Sequence, residues 1–279
     1  MRAPALLPAL ACALISALLS FLPGAGDARA QDAGLRPLCP DRPAKGTGAC
    51  TVDHGHLQLE TDLLDETYDR TGGVTTRTLA VASPTLKLGV TDRLDVEANL
   101  APYLRVSSAQ APGGPRTAQS GIGDLYLRIK LNLAGNSGAD FGLGVEAYLK
   151  APTASHDLGN GAWEEGLLLP ASWSLPHGWS LGLTPEADLL LDASGSGRHV
   201  ALSLPVGLSH AVGPVTGTVE LWTLQDLDPS GTRRETSVDL AAAWQPPRQP
   251  DLQLDAGVNL GANRATPDVQ VYVGLARRF

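Results

Sequence analysis

Asp124-Leu125-Tyr126-Leu127-Arg128-Ile129-Lys130-Leu131-Asn132-Leu133 sets an apolar residue at every odd position against a polar or amphipathic one at every even position. Successive side chains of an extended chain point to opposite faces, so this run has one greasy and one polar face. A helix would scatter the same residues around its axis. The pattern returns in Phe141, Leu143, Val145, Ala147 and Leu149 against Glu146, Tyr148 and Lys150, and in Leu252, Leu254, Ala256, Val258 and Leu260 against Gln253, Asp255 and Asn259. It closes the chain with Val269, Val271, Val273, Leu275 and Phe279 opposite Gln270, Tyr272 and Arg278.

Counting outward from these runs gives about twelve segments: 55–66, 75–90, 94–105, 121–133, 140–151, 163–175, 179–192, 199–212, 215–225, 236–245, 251–262 and 268–279. Each meets the roughly 9 to 11 residues that a tilted strand needs to cross a bilayer. The links alternate. Short turns fall at Thr91-Asp92-Arg93, 134–139, Pro176-His177-Gly178, Gly213-Pro214 and 246–250, and longer polar loops lie between the other pairs. Short turns at one end, longer loops at the other and an even strand count describe an all-β chain, a transmembrane antiparallel up-and-down β-barrel of about twelve strands. Pro84, Pro102, Pro170, Pro185 and Pro205 lie inside proposed strands, where each removes a ladder donor. Bulges or early strand ends would accommodate them, and ten or fourteen strands are the alternatives.

A β-sandwich shares the alternation, but it gives tryptophan no reason to gather at one level. Trp173, Trp179 and Trp244, with Phe141, all fall on the apolar face close to the short turns. That is the place of an aromatic membrane girdle at the periplasmic interface.

The first thirty residues read differently. Arg2, an apolar run over 10–22 and the small residues Ala28 and Ala30 form a secretory signal peptide, 1–30. Export suits the cysteines. Cys39 and Cys50 flank a Pro- and Gly-rich stretch and are expected to form a local disulfide within a periplasmic N-terminal segment, 31–54, ahead of the barrel at 55–279. His54 and His56 lie nearby without the ligand spacing of a structural zinc site, so no metal and no cofactor is expected. The composition agrees, with a net charge of −8, 43% apolar residues, 31 Gly and 21 Pro. The apolar content excludes a disordered chain, and the acidic balance argues against a nucleic-acid partner.

Gly121-Ile122-Gly123-Asp124-Leu125 with Lys130, the turn Gly89 to Leu94, Lys150-Ala151-Pro152-Thr153 with Gly159-Asn160-Gly161, and the ending Asp255-Ala256-Gly257 to Val273-Gly274-Leu275 and Arg278-Phe279 resemble the exported barrels of the transporter, or phenol-degradation meta-pathway, family. The resemblance spans nearly all of the mature chain through short structural motifs. It implies passage of small, aromatic or hydrophobic solutes across the outer membrane of a Gram-negative bacterium, without fixing a substrate. The terminal Phe279 resembles the signal read by the barrel-assembly machinery, although Arg277 stands where an apolar residue is usual.

With the polar faces inward, the lumen is mixed and net acidic. Tyr103, Tyr126 and Tyr148 come from consecutive strands with Arg105, Arg128 and Lys150 near them, and Trp222 joins from a later strand. Aromatic faces among a few polar groups suit an apolar solute. The expected function is therefore a porin-like channel for small molecules, with outer-membrane lipids and the assembly machinery as its other partners. A structural or surface-interaction barrel with a packed lumen is the alternative. No enzyme is expected: Ser209 and His210 are strand neighbours on opposite faces, Ser155 and His156 lack a third partner, and a lipid-modifying hydrolase is the weakest reading.

Overall fold

The computed structural model describes residues 34–110, 113–136 and 138–279, and the expected signal peptide lies outside them. Twelve strands follow in chain order. They are β1 (Leu57–Thr71), β2 (Val74–Thr91), β3 (Leu94–Leu100 with Tyr103–Gln110), β4 (Arg116–Gly121 with Leu125–Ala134), β5 (Phe141–Ala151) and β6 (Glu164–Leu168 with Ala171–Leu175). After a one-turn 3₁₀ segment at Pro176–Gly178 come β7 (Trp179–Leu183 with Glu186–Leu191), β8 (Arg198–Val212), β9 (Val215–Asp226), β10 (Arg233–Trp244), β11 (Leu252–Gly261) and β12 (Val269–Arg278).

Each strand pairs antiparallel with its sequence neighbours, and β12 returns to β1 with Gln58 opposite Arg278 and Tyr68 opposite Val269. The seam is closed by Phe279 N–H donating to Leu57 O at 2.7 Å and Leu57 N–H to Phe279 O at 3.3 Å. The ring of strands is thereby closed, as a lipid environment requires of any sheet that crosses it. Arg116–Gly121, paired among the described residues with 104–109 alone, keeps an edge at the long-loop end.

The alternation sorts the wall as the sequence predicts. Leu127 and Ile129 are 45% and 48% exposed while Lys130 is fully buried, because the odd positions face outward and the even ones crowd the interior. In water an apolar outer wall of this kind would be an aggregation surface; in a bilayer it is the solvent-facing side. Phe141, Trp179 and Trp244 are exposed on that wall beside the short turns. Trp173 packs on Phe141 with ring centroids 5.3 Å apart, and Trp179 on His210 at 4.4 Å.

Three of the five prolines mark breaks that neighbouring strands share, and Pro84 and Pro205 remain inside β2 and β8. Pro102 lies in the gap of β3, directly across from the 122–124 gap of β4, and Gly123 N–H donates to Ala101 O at 2.8 Å. Pro170 and Pro185 occupy the facing gaps of β6 and β7, where Leu169 N–H donates to Pro185 O at 2.9 Å. Pro205 stays within β8 and its carbonyl accepts from Thr184 N–H at 3.2 Å. A proline costs a ladder bond only where its partner still expects one, and paired breaks remove that expectation from both strands.

One break changes which face a residue occupies. Leu63 is skipped in the β1–β12 register, Ala82 opposite it has φ of 52°, and Ala101-Pro102 interrupts β3. Above this level Asp65 opposes Ala80, which opposes Leu104, so Leu104 shares the face of the inward Asp65. Tyr103 and Arg105 are thereby turned outward, a correction to the expectation that they line the lumen. Their parity is inverted by the bulge that Pro102 announces.

Candidate functional site: a segment folded into the lumen

The interior is not an open pipe. Residues 36–53, expected as a periplasmic segment, instead run inside the barrel from the short-turn end. Arg36 and Asp53 meet at the entrance through an ion pair of 2.7 Å, beside Arg278, whose guanidinium reaches Asp53 at 2.6 Å and Asp251 at 2.5 Å. The Cys39–Cys50 disulfide clamps the two arms of the hairpin above this entrance.

The chain between the cysteines is tied to strands on all sides. Asp41 lies between Lys87 and Lys130, in contact with both ammonium groups. Those lysines also meet the strand carboxylates, Lys87 at 2.6 Å from Glu60 and Lys130 at 3.1 Å from Glu146, with Glu97 at 3.7 and 3.6 Å from the two. Arg42 reaches Asp62 at 2.6 Å and Asp255 at 2.8 Å, so it links β1 to β11. Lys45 contacts Asp239 at 3.0 Å and stacks 4.3 Å above the ring of Trp222. Buried charges persist only when paired and hydrogen-bonded, and here Arg42 and Lys45 find strand carboxylates while Arg36 pairs with Asp53 of the segment itself.

Backbone groups complete the attachment. Lys45 and Gly46 donate their amides to the two oxygens of Glu220 at 2.9 and 3.0 Å, Val52 N–H donates to Asp95 at 2.9 Å, and Asn132 Nδ2 donates to Ala49 O at 2.7 Å. A segment without regular structure must satisfy its amides somewhere, and the inward side chains do so. Gly89 makes the room: a Cβ there would lie 2.0 Å from Asp53 O.

Two cavities flank the hairpin. One of about 540 Å³ is lined by Tyr126, Arg128, Tyr148, Glu146 and Glu186, with Asp41, Arg42 and Thr47 of the segment. The other, about 410 Å³, lies toward the short turns and is lined by residues that include Trp173, Ser180 and Gln245, and again by Asp41, Arg42 and Thr47. The larger one is lined by six carboxylates, Asp41, Glu60, Asp62, Glu97, Glu146 and Glu186, and by four cations, Arg42, Lys45, Lys87 and Arg128.

Of the expected lumen residues, Tyr126 and Tyr148 come together with ring centroids 5.8 Å apart, Arg128 lies 5.3 Å over Tyr126, and Tyr148 donates to Asp188 at 2.7 Å. Gly166 leaves space for the Tyr148 ring, which a Cβ would meet at 2.3 Å. Lys150 does not join them; it is held by Glu164 at 2.5 Å and by Asn160 at 2.7 Å. Trp222 lines a separate cavity of about 170 Å³ with Lys45 and Glu235. The lumen segment was not legible, because its contacts are backbone amides and single charges with no period. Its charge pattern, with Arg36, Asp41, Arg42, Lys45 and Asp53 beside a net acidic lumen, is the one signal present.

The serines considered as nucleophiles are otherwise engaged. Ser155 Oγ accepts from Ile122 N–H at 3.0 Å, while His156 is paired with Asp157 on the surface. Ser209 meets Thr218 at 2.8 Å, and His210 points away onto Trp179.

A closed antiparallel barrel with an apolar outer wall and a charged interior defines a transmembrane β-barrel of the outer-membrane type. The chain belongs to the family described as "Putative MetA-pathway of phenol degradation", whose model matches residues 40–279. Among solved structures, an outer membrane channel from Pseudomonas putida F1 is similar at 17% identity with a TM-score of 0.64, covering 85% of this chain and 100% of that one. The β domain of the Bordetella autotransporter BrkA follows at 14% identity and a TM-score of 0.52, covering 81% of this chain and 100% of that one. No curated protein matches the sequence.

The motifs that carry the resemblance now have physical roles. Gly89 admits the hairpin. Ile122 to Asp124 form the β4 break, over which the 152–158 loop folds: Leu125 N–H donates to Thr153 at 2.9 Å and Ala154 N–H to Asp124 at 2.8 Å.

Proposed function

We propose that this protein is an outer-membrane channel through which small neutral or cationic solutes, aromatic ones included, diffuse past the lumen hairpin. The observation that carries the reading is the pair of cavities, about 540 and 410 Å³, that meet on Asp41, Arg42 and Thr47. A barrel built only to be a rigid wall gains nothing from voids on both sides of its plug. The six-to-four excess of carboxylates over cations in the larger cavity disfavours anions. The facing rings of Tyr126 and Tyr148 suit a flat apolar solute.

In this reading lipids cover the outer wall, the assembly machinery reads Phe279, and the leading thirty residues direct export. Single-channel recording of refolded protein in a planar bilayer tests it. Small cation-selective steps are expected. An insulating barrel would instead establish the packed structural role, in which the hairpin is a permanent filler.

A further inference from the structure

A second cluster lies away from the lumen hairpin, at the long-loop end. His199 is the second residue of β8 and its side chain is only 6% exposed. Three carboxylates converge on its ring. Nδ1 lies 3.0 Å from Asp192 Oδ1 and 3.4 Å from Asp228 Oδ2, and Nε2 lies 2.8 Å from Asp226 Oδ1. Nε2 is buried without a well-directed hydrogen bond. Arg233, 3.8 Å from Asp226 and mostly exposed, is the neighbouring cation.

The distances are those of ligands around one ion. Nitrogen and oxygen donors sit roughly 2.0 to 2.2 Å from zinc-like ions, which places tetrahedral neighbours about 3.3 to 3.6 Å apart. The separation to Asp228 falls in that range, and that to Asp192, a hydrogen bond, is slightly shorter than it. Asp226 stands where a ligating histidine commonly has an outer carboxylate, on the ring nitrogen turned away from the metal. The ligands are also presented by the backbone. Asp228 Oδ2 accepts from Ala193 N–H at 2.7 Å and its Oδ1 from Ser230 N–H at 2.7 Å, which leaves one lone pair of Oδ2 facing the imidazole. Gly197, at φ of 92°, leaves the space in which the Asp192 carboxylate folds back; a Cβ there would lie 2.3 Å from Asp192 Oδ2.

We propose that Asp192, His199 through Nδ1, and Asp228 bind one divalent transition-metal ion, with Asp226 orienting the imidazole. The ion replaces the proton on Nδ1 and joins the β7–β8 loop to the β9–β10 loop at the mouth of the barrel. One imidazole with two carboxylates suits zinc or manganese better than calcium, which takes six or more oxygens. The ligands come from three points of the chain, 192, 199 and 228, so no linear motif announces them. The second carboxylate group with metal-like spacing, Asp41, Glu97 and Glu146, is already filled by Lys87 and Lys130.

Calorimetric titration of the refolded full-length barrel with zinc chloride tests the site. One equivalent is expected to bind, with affinity lowered at least 100-fold in His199→Asn and about 10 to 100-fold in Asp226→Asn, as for other outer-shell carboxylates. Wild-type affinity is expected in His156→Ala. Heat-modifiable gel migration shows which variants have folded, and Asp226→Asn, which removes no ligand, supplies the answer if His199→Asn does not fold. Absence of stoichiometric binding by the wild type overturns the proposal. So does binding that survives in His199→Asn, or that disappears on His54→Ala, which would place the ion beside the entrance of the barrel instead. None of these outcomes depends on whether the barrel conducts.

Discussion

Lys130 Nζ donates to Asp41 Oδ2 at 2.5 Å, joining the middle of β4 to a residue 89 positions earlier in the chain. This bond and its twin from Lys87 fix the lumen hairpin at the level where the two cavities meet. Removing one partner of a buried ion pair leaves the other uncompensated, at a cost of about 3 to 5 kcal/mol. Lys87 and Lys130 retain Glu60 and Glu146, so Asp41→Asn is expected near the lower end. Urea unfolding in detergent is expected to show that loss, and planar-bilayer recording larger conductance steps than wild type. Unchanged conductance would mean that Asp41 stabilises the hairpin without closing the path.

Gly89 offers a steric counterpart to that electrostatic change. A methyl group there would press on the Asp53 carbonyl, which cannot move without shifting the Arg36 and Arg278 pairs. Overpacking of this kind costs roughly 1 to 3 kcal/mol. Gly182 has nothing within 4 Å of its Cβ position and serves as the control. Gly89→Ala is expected to lower the temperature at which the folded gel band converts to the unfolded one, and Gly182→Ala to leave it in place. Equal shifts would show that inward glycines serve the wall rather than the hairpin.

The strand count and the two faces are legible in the sequence because period-two alternation survives wherever the wall is regular. Leu125 to Leu133 occupy the faces their parity assigns. Tyr103 and Arg105 do not, since a one-residue irregularity near Pro102 inverts everything beyond it, and a pattern read locally carries no memory of the slip. Pro102 does advertise the break, yet its direction and partner come only from the facing gap at 122–124. The hairpin is hidden for another reason. Gly46 and Val52 are bound by their amides, which every residue but proline has, so sequence identity says little about them. The same holds for His199 and its three carboxylates, which only the register of β7, β8 and β9 brings together.

The disulfide bears on how long the hairpin stays in place. Cys39 and Cys50 are 11 positions apart, and closing a loop of that length stabilises by about 2 to 3 kcal/mol in the chain-entropy model. Lys45, followed by Gly46, lies inside the closed loop and is a trypsin site shielded by the wall, whereas Arg42 precedes Pro43 and is not cut. The Cys39→Ser, Cys50→Ser double variant is expected to be cut by trypsin at Lys45 several-fold faster than wild type, with the barrel itself intact on the gel. Equal cutting rates would show that the ion pairs alone hold the segment.

The aromatic pair gives the sharpest test of solute choice. Tyr126 and Tyr148 present rings 5.8 Å apart on the wall of the larger cavity, and Arg128 covers one of them. If a flat solute passes between ring and hairpin, replacing Tyr126 by Ala removes a stacking surface that contributes about 0.5 to 1.5 kcal/mol beyond its area, and it widens the cavity. For a small ion only the widening counts, whereas an aromatic compound also loses the surface it stacks on. Potassium conductance is therefore expected to rise, while saturable uptake of a phenolic solute into liposomes loses affinity by about 2- to 10-fold, the equivalent of that energy range. Tyr126→Phe keeps the ring and is expected to keep the affinity. A parallel rise of both fluxes in Tyr126→Ala would mean that the tyrosines only fill space, and that the cavity discriminates by charge and width alone.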